Sequence, residues 1–402
     1  MKNYLSSFNH GLPSVRFAGI REPLRHRRIR TGIAPASLLF SLFLLSLLFL
    51  MLPCSSVYGK EEATSQTGFF LDTVITITLY GDEDGSAMDG CFDLLEEYEQ
   101  MLSRTVEGSD VWKINHSDGE PTEVNEETVS LIETALQYSE LSDGAFDITI
   151  TPLVELWDVE NKALLAASEA EADTNESENS NEAGDSDQSE DTDESADSAQ
   201  PEGSSLIPSS EEIEEALSHI NYQNVLVNGT TVTLSDPKAE IDLGGIAKGY
   251  IADRLEEYLL SCNIESALIN LGGNVQTVGT KPDGSVWKIG IQEPFGGSYD
   301  IIAVIECSGE SVVTSGTYER YFEVDGKIYH HILDPKTGYP TDNGLTSVTI
   351  LADSSTQCDA LSTTCFVLGL EEGLELIESL DQVEALFITE DETMYRTSGF
   401  PE

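Results

Sequence analysis

Ile241-Asp242-Leu243-Gly244-Gly245-Ile246-Ala247-Lys248-Gly249-Tyr250 reads as the joint between a strand over residues 238–243 and a helix over 246–261. Glycines at such a joint let the backbone approach a ligand closely, and a helix N-terminus turns N–H groups toward an anion. Lys248 adds a point positive charge for a phosphate, and Asp242 is placed to accept hydrogen bonds from hydroxyls or a base edge. The stretch is not a Walker sequence, because the glycine spacing and the following Ser/Thr are absent.

Outward from this joint, the chain gives short strands and amphipathic helices without regular alternation. Val74, Ile75, Ile77 and Leu79 alternate with threonines, so residues 69–80 predict a strand. Apolar residues at helical spacing predict helices over 86–102, 126–141 and 152–165. Ser209-Ser210-Glu211-Glu212 is a helix start with acids in its first turn. Asn228-Gly229 predicts a hairpin over 225–234. Short strands then follow from 265 to 332, a strand at 345–351, helices at 355–369 and 371–379, and a last hairpin at 383–396. Runs of strands followed by runs of helices argue for an α+β fold.

Charge is distributed unevenly. Of 20 Lys/Arg, seven lie in residues 1–30, leaving 13 against 72 of the 73 Asp/Glu in the rest of the chain. A body this acidic repels nucleic acid, and an anionic substrate needs a metal ion or a local basic group. The arginines at 21, 25, 27, 28 and 30 precede an apolar run from Ala34 to Leu52, the layout of an export signal or anchor over residues 1–59. Positive charge stays inside, so the body is expected outside the cytoplasm, associated with the outer face of the cell membrane. Cys54 as a lipidation site, cleavage after Val57-Tyr58-Gly59 and retention of the segment as an anchor are three open fates. The remaining residues, 60–402, form one domain interrupted at 169–202. That interruption holds 14 acids and no Lys, Arg or aromatic residue, a composition that predicts a disordered spacer. None of the six cysteines forms a C-x-x-C pair.

Three further stretches carry chemistry. Asp359 and Thr363 stand i and i+4 on a predicted helix, so a carboxylate and a hydroxyl share one face; both are hard oxygen ligands suited to Mg²⁺. His330 and His331 end a strand ahead of the turn Asp334-Pro335-Lys336-Thr337-Gly338, and strand geometry points their rings to opposite faces, so one is expected to enter the site as a general base. Gly144-Ala145-Phe146-Asp147 offers a ring to stack and a carboxylate for polar edges. Together, the residues point to metal-assisted cleavage of a pyrophosphate.

The order and spacing of these motifs resemble the FAD:protein FMN transferase family, the ApbE-like proteins, over about residues 68–400. The pattern D-x-G-G-x-A-K-G-Y is met by Asp242 to Tyr250, H-x-x-D-P-x-T-G-x-P by His331 to Pro340, D-A-x-x-T by Asp359 to Thr363, and G-A-F-D with a later T-P by Gly144 to Asp147 and Thr151-Pro152. Asn270-Leu271-Gly272-Gly273-Asn274 matches as well. The resemblance implies an ApbE-like fold with mixed or antiparallel sheets flanked by helices. It implies Mg²⁺ held by Asp359, Thr363 and the Gly245 carbonyl, and FAD as substrate, contacted by Leu71, Ala145, Phe146, Asp147, Asp242, Lys248, His331 and Ile332. It further implies transfer of FMN to a Ser/Thr hydroxyl of an acceptor flavoprotein carrying a D-x-x-[ST]-G-A-[ST]-like motif; within that reading His331 is the candidate catalytic base for the hydroxyl, and Lys248 the catalytic group that offsets charge as the bond between the phosphates breaks. Thr105 departs from the pattern, standing where the family often has a flavin-contacting tyrosine, a place that nearby Trp112 could take. An FAD pyrophosphatase and a non-catalytic flavin-binding lipoprotein are the alternatives from the same residues.

Overall fold

The computed structural model describes residues 63–165, 206–297 and 299–401. The expected export segment and the acidic spacer lie outside the described residues. Lys60–Glu402 forms a compact unit by itself.

Its spine is an eight-stranded sheet in the order β1 (Ala63–Phe70), β2 (Thr73–Tyr80), β6 (Ala267–Leu271), β7 (Asn274–Val278), β10 (Ser311–Gly316), β13 (Leu345–Ala352), β14 (Glu384–Thr389) and β15 (Met394–Arg396). Every neighbouring pair in it is antiparallel. Three small antiparallel sheets complete the strands: β3 (Thr122–Glu123) with β5 (Thr231–Leu234) and β4 (Val225–Asn228), β8 (Trp287–Gln292) with β9 (Ile301–Cys307), and β11 (Tyr321–Val324) with β12 (Lys327–His330). The architecture is the expected α+β one, with antiparallel sheets flanked by helices.

One face of the large sheet carries the main core. There Ile75, Ile77 and Leu79 of β2 pack with Met88, Cys91 and Leu95 of α1 (Ser86–Leu102), the latter three on one stripe of the helix. The same core takes in α3 (Glu126–Leu141), α6 (Ala247–Ser261) and α7 (Ser355–Leu368). The β8–β9 hairpin covers the other face through Trp287, Ile289, Ile291 and Ile305. Sandwiched between, β13 is buried at all eight positions, which is why its sequence shows no alternation. A third cluster joins α4 (Thr151–Trp157) and α5 (Ser210–Leu217) to the β11–β12 hairpin around Trp157, whose indole N–H donates to the Gly338 carbonyl at 2.8 Å. Among the described residues, α2 (Asp110–Asn115) and α8 (Leu370–Glu378) are two further helices.

Three expectations change. The single strand over 69–80 is a hairpin. Leu71 and Asp72 turn it with φ of 53° and 56°, consecutive left-handed residues of the kind a two-residue hairpin turn requires. Alternation alone cannot reveal this, because neither residue is a glycine or asparagine. The helix over 152–165 breaks at Asp158, which is left-handed at φ 44°. Finally, residues 238–243 join no strand ladder. One side chain substitutes for a neighbouring strand: Asn115 donates to the Ile241 carbonyl at 2.9 Å and accepts from the Ile241 N–H at 2.8 Å. Asp242 N–H donates to the Ile148 carbonyl at 2.7 Å.

Asn115→Ala strips both backbone partners from the fully buried Ile241. Orphaned buried amide groups cost about 1–3 kcal/mol each, so the variant should lose roughly 2–4 kcal/mol of unfolding free energy. Urea denaturation checks it; a loss below about 0.5 kcal/mol would remove the clamp's structural importance.

Candidate active site

α6 and α7 meet unusually closely at Gly249. A Cβ there would lie 2.2 Å from the Ser355 carbonyl oxygen and 2.7 Å from the Asp359 Cβ, so only glycine permits the crossing. The Gly249 N–H donates to Asp359 Oδ2 at 2.9 Å. In return, Asp253 of α6 caps α7, accepting from Ser355 N–H at 2.7 Å, Thr356 N–H at 3.0 Å and the Ser354 hydroxyl at 3.0 Å. Asp359 is buried, and burial pushes its carboxyl above the usual range; the Lys248 charge, the Gly249 N–H and Asn274 work in the opposite direction.

The glycine joint lies against this crossing. A Cβ on Gly245 would stand 3.0 Å from the Phe146 ring and 3.8 Å from Thr363 Oγ1, which brings the Gly245 backbone, Thr363 and Phe146 together. Thr363 Oγ1 also reaches the Ser315 hydroxyl at 3.4 Å. Asp242 shapes the turn: Oδ1 accepts from Gly244 N–H at 2.6 Å, and Oδ2 pairs with Arg104 Nε at 3.0 Å. α6 has no side-chain cap, and Lys248 sits in its first turn, donating to the Gly244 carbonyl at 3.0 Å. A cation in the first turn opposes the helix dipole's preference. The arrangement is explained by an anion that both the dipole and the ammonium attract.

The two histidines take different partners: β12 ends at His330, and His331 follows it in a bend rather than in the expected strand over 327–332. His330 is buried, its Nε2 donating to the Thr341 carbonyl at 2.9 Å and its Nδ1 accepting from Ile332 N–H at 3.2 Å, with its ring edge-on to Phe366. Both nitrogens are engaged by backbone, so this ring ties β12 to the following turn. His331 Nδ1 donates to the Arg320 carbonyl at 3.3 Å, which sets the tautomer and leaves Nε2 as the lone-pair nitrogen. Burial pushes His331 down to about 3, helped by the nearby Arg320, His330 and Lys248 charges.

Other expected contacts take different forms. Ala145, Phe146 and Asp147 are all buried. Asp147 accepts from Thr149 N–H at 2.8 Å, the Thr149 hydroxyl at 2.7 Å and Tyr222 N–H at 2.9 Å, so its carboxylate fixes the loop that carries Phe146. Leu71 is half-buried at the strained hairpin turn, held by its N–H on Glu99 Oε1 at 2.7 Å. Ile332 is buried beside His330. Trp112 stacks on His116 with centroids 4.1 Å apart, which occupies one face of the indole.

Two residues of the site were not singled out in the sequence. Glu319 is exposed; crowding by the surrounding protein pushes its carboxyl up, opposed by Lys248 and Arg320 and reinforced by Asp359. Arg320 reaches back from His331 to the hairpin turn, donating to the Asp72 carbonyl at 3.3 Å. Both follow β10 in a stretch without periodicity or motif of its own, and only the fold brings them to Lys248. Among the described residues, no three His, Cys, Asp or Glu side chains converge on one point. A donor set of one carboxylate, one hydroxyl and a backbone carbonyl suits a hard ion that completes its shell with water and phosphate oxygens.

The model of the ApbE family matches residues 71–387. A relative from Klebsiella pneumoniae named FAD:protein FMN transferase is 36% identical over 343 residues, 85% of this chain and 93% of the relative. One of the same name from Treponema pallidum is 31% identical, over 85% of this chain and 88% of its own. A crystal structure of the ApbE protein from Thermotoga maritima superposes with a TM-score of 0.68 at 34% identity, covering 84% of this chain and 97% of that one. The flavin transferase ApbE from Vibrio cholerae gives a TM-score of 0.66 at 26% identity, covering 85% and 98%.

Because folding lowers the proton affinity of both His330 and His331, the unfolded chain takes up protons first on acidification, near the ordinary imidazole value of about 6.5. Stability tied to the neutral rings is whole above about pH 6.5 and declines as pH falls toward 3. Thermal midpoints measured between pH 7 and pH 5 should fall less steeply in His331→Asn than in the unaltered protein. Parallel slopes would contradict the depressed affinity of His331.

Proposed function

Since this chain belongs to the ApbE family, we propose that it is an FAD:protein FMN transferase, moving FMN from FAD to a Ser or Thr hydroxyl of a partner protein and releasing AMP. The observation that carries this reading is the meeting of Lys248, Asp359, Thr363, Gly245 and the free side of His331 around the α6–α7 crossing. Binding alone would not require a proton acceptor beside the anion site.

Asp359, Thr363 and the Gly245 carbonyl would hold Mg²⁺, which when bound supplies charge neutralisation on the two phosphates. Lys248 and the uncapped start of α6 hold the FAD pyrophosphate. His331 Nε2 takes the proton from the acceptor hydroxyl as its oxygen forms the bond to the FMN phosphorus. The bond from that phosphorus to the bridging oxygen breaks, and AMP departs with the electron pair. The Arg320 carbonyl holds His331 Nδ1–H, so the ring presents its basic nitrogen. A phosphate anion bound nearby raises that nitrogen's proton affinity from the low value set by burial. Phe146 packs against Gly245, and Asp242 with Arg104 fixes the turn that meets the nucleotide.

The arginine cluster before the apolar run of 34–52 supports export and attachment at the outer face of the cell membrane. The acceptor we infer carries the D-x-x-[ST]-G-A-[ST]-like motif of the family resemblance.

Incubation with FAD, Mg²⁺ and an acceptor bearing that motif should yield a flavin-fluorescent acceptor band on a denaturing gel. Asp359→Ala should reduce transfer roughly 10³-fold or more, the effect of several kcal/mol of charge stabilisation, while the chain still folds. Near-normal transfer at saturating Mg²⁺ would remove Asp359 from the mechanism. His331→Asn should slow transfer about 10²–10⁴-fold with little change in FAD affinity. His330→Asn should instead lower stability and keep most of the rate; inactivity confined to His330→Asn would invert the assignment.

A further inference from the structure

Behind Asp359 lies a line of buried polar side chains that the reaction does not use directly. Asn274 opens β7, immediately after Gly272-Gly273, and is 1% exposed. Its Oδ1 accepts from the Ser355 hydroxyl at 2.7 Å, and the Ser311 hydroxyl donates to Ser355 Oγ at 2.9 Å. Ser311 and Ser355 are both fully buried. With Oδ1 fixed on Ser355, the amide nitrogen must point the other way, and there Nδ2 has no hydrogen-bond partner. An orphaned buried amide donor costs about 1–3 kcal/mol, so its persistence calls for an explanation. Asp359 stands one turn after Ser355 on α7, beside the amide, and Asn274 favours its charged form.

We propose that Asn274 is a positioning residue for Asp359, its orientation set by Ser355 and Ser311, and that its Nδ2–H closes on the carboxylate when a divalent cation draws Asp359 into its bound orientation. Two donors from separate elements then fix one side chain: the Gly249 N–H of α6 on Oδ2 and the Asn274 amide of β7. Such outer contacts pre-set the ligand and commonly contribute 10–100-fold in metal affinity. Ser355 serves twice, because its backbone N–H is also held by Asp253. The cap of α7 and the orientation of the amide therefore depend on one residue. The inference rests on Asp359 being a metal ligand as proposed above.

The test is Mn²⁺ binding followed by electron paramagnetic resonance, with AMP present and no turnover, beside thermal denaturation. Asn274→Ala should weaken Mn²⁺ binding about tenfold. Ser355→Ala keeps the backbone cap and should weaken it in the same direction but less; the double variant should resemble Asn274→Ala, because the serine acts through the amide. In turnover, the Mg²⁺ concentration for half-maximal rate should rise while the rate at saturating Mg²⁺ changes little. Unchanged Mn²⁺ affinity in both single variants, or a loss of thermal stability without a loss of affinity, would overturn the inference. If Asn274→Ala does not fold, Ser355→Ala decides alone. Asp359→Ala is the control that separates the two claims: if it binds Mn²⁺ as tightly as the unaltered protein, the metal assignment itself has failed.

Discussion

The rest of the site depends on the close crossing of α6 and α7. Gly249 removes the side chain that would keep the helices apart, its N–H takes one oxygen of Asp359, and Asp253 closes the start of α7. Each helix thus supplies what the other's backbone lacks. Crossing backbones this near also places Lys248, one residue before Gly249, within electrostatic reach of Asp359, Glu319 and His331. Separation of the helices by even one methyl group would uncouple the carboxylate from the cation that offsets its burial.

Electrostatics explains why this coupling matters for a chain with a formal charge of −53. An anionic ligand meets a repulsive body nearly everywhere. At the site, Lys248, Arg320 and Arg104 are drawn close, and each leans on backbone carbonyls or on carboxylates of the site itself. The favourable field there is local and short-ranged, set against a strongly acidic chain.

Much of this was legible in the sequence, for identifiable reasons. Asp359 and Thr363 share a helical face by spacing alone, whereas the different partners of His330 and His331 come from the strand ending between them, which no alternation pattern marks. The hairpin turn at Leu71-Asp72 was not legible, because those residue types do not signal left-handed backbone. Residues 238–243 misled for another reason: a strand-like sequence is satisfied there by one asparagine side chain 126 positions away, and no local pattern encodes that partner. Glu319 and Arg320 were missed because their importance comes from where the sheet ends. Asp147 was found as a site residue, but its carboxylate holds Thr149 and Tyr222, a division of labour that only the fold displays.

The β11–β12 hairpin turns at Asp325-Gly326, both left-handed, and pairs Tyr321 with His330 across its open end. His330 closes β12 and His331 follows it; one is bonded at both nitrogens and the other at a single nitrogen, so where the strand ends decides which ring is held by backbone. A slip of one residue at that turn would carry His331 into the place of His330, against Phe366. A one-residue change in this turn therefore shifts β12 against β11 and turns its faces over, whereas a two-residue change keeps their alternation.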